Sequence, residues 1–143
     1  MAVIGRRALL ALFAYGVLQA RARHDALQAI NTVATALSDG DASGAMAPFD
    51  NSSTNYEKLR GYFLGLVDAF QITNEVDVTN EEDSAGETRL TLQWTLSLTD
   101  TSSQTITRRS AELHARLRLE KAKWKIVEFA PIDLFDPQAP SNR

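Results

Sequence analysis

Between Asp25 and Ser38 the apolar residues Leu27, Ile30, Ala34 and Leu37 recur at three- and four-residue spacing, which places them on one stripe of an α-helix. Gly40 predicts its end, since glycine adopts the left-handed conformation of a helix C-terminus, and Asp41 can cap a second helix. Pro48 keeps that helix short, closing it near Phe49 and Asp50. Turn chemistry follows at Asn51-Ser52-Ser53-Thr54, where Thr54 and Glu57 read as a capping box for a third helix. The inner face of that helix is Tyr56, Leu59, Phe63, Leu66 and Phe70. Gly61 and Gly65, one turn apart, predict a close approach to the sheet.

After Phe70 the period shortens to two. Ile72, Val76 and Val78 alternate with Thr73, Glu75, Asp77 and Thr79, and Leu90, Leu92, Trp94, Leu96 and Leu98 alternate with Thr91, Gln93, Thr95, Ser97 and Thr99. The segments Asn80 to Gly86 and Asp100 to Gln104 read as loops. In a third strand Ala111, Leu113, Ala115, Leu117 and Leu119 share one side, with Ile106 out of phase, so a β-bulge is expected around Arg108 to Ser110. Lys121-Ala122-Lys123 turns the chain into a last strand, Trp124 to Phe129, apolar in both phases and so expected to be covered on both faces. From Pro131 the chain is expected to run out, through Asp136-Pro137, into a loose tail over 137–143. The fold class is α+β: three N-terminal helices packed on a curved four-stranded antiparallel sheet.

This order of elements, with Leu37-Ser38-Asp39-Gly40-Asp41 ending the first helix, Phe49-Asp50 closing a short second one and Trp124-Lys125-Ile126-Val127 in the last strand, resembles the nuclear-transport-factor-2-like superfamily. That superfamily has a cystatin-like, cone-shaped α+β barrel shared with ketosteroid-isomerase-type and polyketide-cyclase-type enzymes. The resemblance spans residues 25 to 136. It implies a pocket between the helices and the concave sheet face, often with an Asp, His or Tyr as acid or base, and dimerisation through the other sheet face. Two departures weigh against catalysis: no Tyr or His lies within Asp25 to Ser38, and the stretch after Asp50, where enzyme relatives carry a short acidic strand, is cut to a turn.

The first 22 residues differ from the rest. Arg6 and Arg7 precede the apolar run Ala8 to Leu18 and the A-x-A pattern Ala20-Arg21-Ala22, the layout of a secretory signal peptide too short for a comfortable membrane span. The expected division is a signal peptide over 1–22, a domain over 23–136 and the tail, with a periplasmic or secreted bacterial location. No membrane span is expected after cleavage. Without the leader, the 15 basic residues of the 143-residue chain lose Arg6, Arg7 and Arg21, leaving twelve against 18 acids. An acidic domain of this kind has no general attraction to nucleic acid or anionic lipid. The absence of cysteine excludes disulfides, thiolate metal sites and a thiol nucleophile.

Candidate chemistry is sparse. Asp50, Asp68 and Glu128 are the acids nearest apolar runs, where burial could raise a pKa toward the range of proton transfer. Tyr62 could reach a pocket mouth, and Phe63, Trp94, Leu92 and Leu96 would line the pocket or fill the core. His114 is the one histidine inside the domain besides the near-terminal His24; its strand phase puts it on the polar side, facing solvent or a subunit. No His-rich spacing suggests a metal, and no nucleophile elbow, P-loop or dinucleotide fingerprint suggests a cofactor. Acids cluster around the first hairpin and bases around the second, which predicts cross-strand or intersubunit pairing. The expectation is a small ligand-binding or protein-interaction module, homodimeric through Thr91, Gln93, Thr95, His114 and Arg116, with a hydrophobic small molecule as guest if its pocket is open. A pocket enzyme of the isomerase, dehydratase or cyclase type using Asp50, Asp68 or Tyr62 is the alternative.

Overall fold

The computed structural model describes residues 25–138; the leader expected over 1–22, His24 and the tail beyond 138 lie outside them. The first helix, α1, covers 25–38, and its buried stripe is Ala26, Ile30, Val33 and Leu37, with Leu27 and Ala34 on the margin rather than at the centre. Gly40 takes φ 74°, and the N–H groups of Gly40 and Asp41 donate to the carbonyls of Leu37 and Ala36, which satisfies the helix end. Asp41 then caps α2 (Ala42–Met46), its Oδ1 accepting the Gly44 N–H at 2.9 Å.

The third helix, α3 (Tyr56–Ala69), buries Leu59, Phe63 and Leu66 as the spacing predicts. Its start differs from the expected capping box. Asn55, in the left-handed region at φ 66°, precedes the first turn, and no side chain caps it. Phe70 already belongs to the next strand. Of the two helix glycines, Gly61 faces open space, whereas a Cβ at Gly65 would lie 2.6 Å from Pro137 Cγ. The close approach is therefore to the C-terminal segment and not to the sheet.

Four strands, β1 (Phe70–Ser84), β2 (Glu87–Asp100), β3 (Ile106–Glu120) and β4 (Lys123–Ala130), form one curved, unclosed antiparallel sheet in the order β1-β2-β3-β4. Alternation in β2 is as read: Leu90, Leu92, Trp94, Leu96 and Leu98 all face the helices and are buried. Residues 80–84, expected in a loop, continue β1 in register with Arg89 and its neighbours, so the turn is only Ala85-Gly86. Polar composition suggested a loop there, but a strand end that overhangs the helices needs no buried face.

The expected bulge at Arg108 to Ser110 is absent, and β2 and β3 pair without a shift from Glu87↔Arg118 to Thr99↔Ile106. The inward position of the supposed slip is held by Arg109, buried at 4% exposure, while Ile106 points outward at 66%. A buried arginine thus mimicked a phase change. The irregularities fall instead at Thr79 in β1, between Val78 and Asn80, and at Val127 in β4, which has no partner between the pairs Leu117↔Ile126 and Arg116↔Glu128. The second explains why β4 is apolar in both phases. Outside β4, Phe49 forms a parallel bridge to Ile126, with Asp50 N–H donating to the Ile126 carbonyl and Ile126 N–H to the Pro48 carbonyl, each at 2.9 Å.

After β4 the chain folds back across the open end of the cone. Ile132, Leu134 and Phe135, the last two within a 3₁₀ turn (Asp133–Phe135), are buried. Pro137, placed by the sequence in the tail, is half-buried beside Gly65.

Candidate functional site

The concave side of the sheet is filled by aromatic side chains. Trp94, Phe63 and Phe135 are 0% exposed, and Phe49 and Phe129 about as deeply buried. Trp94 meets Phe129 and Phe135 edge-on at centroid distances of 5.8 and 5.4 Å; Phe63 meets Phe135 at 5.3 Å; Phe129 stacks on Phe135 at 5.7 Å. Each geometry is one that aromatic quadrupoles favour. The indole N–H, which cannot be left unpaired there, donates to Asn74 Oδ1 at 2.9 Å, and Asn74 Nδ2 donates to the Ala34 carbonyl and Ser38 Oγ. This small network ties β1 and β2 to α1.

Phe135 reaches the cluster because Arg109 holds the returning chain. Its Nη1 donates to the carbonyls of Leu134 at 2.9 Å and Asp136 at 2.6 Å. Burial pushes the guanidinium pKa down from its ordinary value, against which the Asp136 charge acts. Arg109 is the residue that the sequence reading missed most completely, because a charged residue between polar neighbours gives no sign of facing inward.

Of the residues expected to line a ligand pocket, Phe63, Trp94, Leu92 and Leu96 all lie in this packed interior at 0% exposure. Tyr62 is half-buried on α3, with the Lys58 ammonium 5.7 Å from its ring centroid. Asp68 is exposed. Two of the expected acids border depressions: Glu128 one of about 370 Å³ on the convex face beside Thr91, His114 and Arg116, and Asp50 one of about 440 Å³ bounded by α2, the turn after it, α3 and Lys125 of β4. Asp50 Oδ1 accepts from the backbone N–H and the hydroxyl of Ser52 at 2.9 and 2.6 Å, and these bonds, the hydroxyl's first, hold its pKa below the usual aspartate value. A carboxylate held in its charged form is poorly suited to donate a proton at neutral pH. In the rest of the lining, Tyr56 was read as part of the inner face of α3 and Arg60 and Leu64 were not singled out, although the four-residue spacing of the three marks a second stripe on the helix.

The convex face is polar. Cross-strand pairs Thr91↔His114, Gln93↔Glu112 and Thr95↔Ser110 put the expected subunit-facing residues on one surface, with Thr95 and Ser110 hydroxyls 2.8 Å apart. Arg116 bridges Glu87 at 3.2 Å and Glu128 at 3.0 Å. The hydrogen bond from Arg116 lowers the Glu128 pKa, so this acid too is kept ionised. His114 is exposed, 3.7 Å from Glu112. Among the described residues no three His, Cys, Asp or Glu side chains come together as a metal site requires, and no helix is long and apolar enough to cross a membrane.

No family model matches this sequence, and no curated protein matches it. Solved structures do. A conserved protein from Planctomyces limnophilus superposes with a TM-score of 0.70 over 78% of this chain and 95% of its own, at 9% identity. A ketosteroid isomerase-like protein from Erwinia carotovora gives 0.62 over 74% and 91%, at 12% identity. A nuclear transport factor 2-like superfamily protein from Salmonella enterica gives 0.57 over 71% and 83%, at 9% identity. The chain has the nuclear-transport-factor-2-like fold.

Proposed function

We propose that this domain is a non-catalytic protein-interaction module that pairs with a second copy through the convex face of its sheet. The observation that carries this reading is the filled interior: Phe135 stacks into the aromatic cluster at the place where an open cone would receive a substrate. The acids weighed for proton transfer support it too, since Asp68 is exposed and both Asp50 and Glu128 have lowered pKa values. A pocket enzyme would need a carboxylate enclosed among apolar groups with its pKa raised. The fold itself hosts both kinds of protein.

The convex face suits pairing because it is lined with polar side chains that can bond across an interface: Thr91, Thr95 and Ser110 carry hydroxyls, with Gln93 and His114 around them, and a depression of about 370 Å³ beside Thr91, His114 and Arg116 can receive a side chain of the second copy. The module is exported, its leader over 1–22 being removed to leave a mature chain starting at Arg23. Sedimentation equilibrium of the mature chain tests the pairing. A dimer is expected, and Thr95→Arg, which sets a long cation against its own symmetry mate, is expected to give monomers with an unchanged circular dichroism spectrum. A wild-type chain that stays monomeric at high concentration removes the proposal.

A further inference from the structure

We infer that the cleft between α2, α3 and β4 is a binding site for a small amphiphilic carboxylic acid, one carboxylate attached to an aliphatic or aromatic body. It lies on the outer side of α3, and Phe49 separates it from the rest of the aromatic interior. At about 440 Å³ it falls within the usual range of small-molecule sites, roughly 300–1,000 Å³.

The polar groups along it are chiefly donors with capacity to spare. Lys125 gives one of its three N–H groups to the Ala47 carbonyl at 3.2 Å. Arg60 Nε and Nη2 engage Glu57 Oε1, which leaves Nη1. The side chains of Asn51 and Tyr56 have no hydrogen-bond partner among the described residues. The one carboxylate of the lining, Asp50, has its Oδ1 taken by Ser52. A donor-rich site selects an acceptor-rich ligand. The two cations, Lys125 and Arg60, are offset by Asp50 and by Glu57 beside Arg60, a net charge near zero, so hydrogen-bond donors rather than net charge hold the ligand, which suits a monoanion better than a phosphate dianion.

The second half of the ligand is set by the floor. Leu64 is 49% exposed on α3, with Met46 and Phe49 in the wall beside it. A polar rim against an apolar patch fits a molecule with one charged end.

This inference is independent of the pairing proposed above, because the cleft and the convex face share no residue. The test is a titration of the full chain with octanoate and with 1-octanol, followed by NMR at the Leu64 and Met46 methyls and the Asn51 side-chain amide. Saturable shifts at these groups are expected with octanoate, and binding of 1-octanol weaker by about tenfold, equivalent to about 1.4 kcal/mol. Lys125→Gln and Arg60→Gln are each expected to weaken octanoate by a similar factor. Arg60 and its partner Glu57 are exposed, so Arg60→Gln keeps the fold and stays readable should Lys125→Gln loosen α2. Equal binding of acid and alcohol, shifts centred elsewhere, or no shift at about 1 mM octanoate, where a bound state would be worth about 4 kcal/mol, each overturns the inference. So does a peptide ending in leucine that binds more than about tenfold tighter than octanoate.

Discussion

The middle of the sheet and its hairpin end use opposite means to stay together. In the middle, Trp94, Phe129 and Phe135 are packed in a buried cluster, and Arg109 donates from Nη1 to two backbone carbonyls while its buried Nε has no partner among the described residues. At the hairpin end, where the β1–β2 and β3–β4 turns lie side by side, cohesion comes from Arg89, Arg116 and Arg118 with Glu87, Glu120 and Glu128, mostly in water. Buried area contributes far more per residue than exposed charge pairs, which are screened and cost side-chain entropy. The returning C-terminal chain should therefore matter more to stability than the whole charged overhang.

The strongest way to break this contrast is Phe135→Ala. Removing a ring that touches three others should destabilise the domain by about 3–5 kcal/mol, read by urea unfolding. A loss below about 1 kcal/mol would mean that the segment is a loose cover, as such small losses belong to surface sites. Arg109→Ala should cost about 1.5–3 kcal/mol, because two carbonyls lose a charged donor; Arg109→Met should cost less, since it fills the space without a buried charge. Proteolysis within 131–138 should quicken in both.

Two changes at the hairpin end sharpen the contrast from the other side. Thr88 is the exception there, buried with its hydroxyl between the Glu82 carbonyl and the Asp83 carboxylate. Thr88→Val should cost about 0.5–1.5 kcal/mol, the net worth of a hydrogen bond. Glu128→Gln should cost about 0.2–1 kcal/mol, less in high salt. The Glu128 pKa is lowered in the folded chain, so its contribution is complete above the unfolded value of about 4.3 and disappears as pH falls through the lower folded value. The variant should lack that part of the acid-side decline. Asp50 and Asp100, also lowered by hydrogen bonds from the turns that follow them, act in the same direction and remain in the variant.

Legibility in the sequence follows the same division. Strand β2 was plain, because five inward apolar residues alternate with polar ones and nothing else competes. Gly40 and Asp41 were plain because their chemistry is local. Arg109 was not: its inward position depends on carbonyls 25 and 27 residues later, a tertiary arrangement that no local pattern encodes. Ile132, Leu134 and Phe135 carry an apolar signal, but after Pro131 and before Asp136-Pro137 it reads as chain leaving the domain. The cleft escaped for a different reason. Arg60 and Leu64 sit on the exposed side of α3, Tyr56 at the margin of its buried face, and only folding brings Lys125 beside them.

The bridge between Phe49 and Ile126 has a topological consequence. Because Pro48 and Asp50 occupy backbone groups at the centre of β4, the sheet keeps, among the described residues, one long vacant border, β1. Extension strand upon strand into a fibre needs two such borders per molecule, one to offer and one to receive. With one, growth by that route terminates at two copies, and Glu75 and Asp77 make even that meeting repulsive.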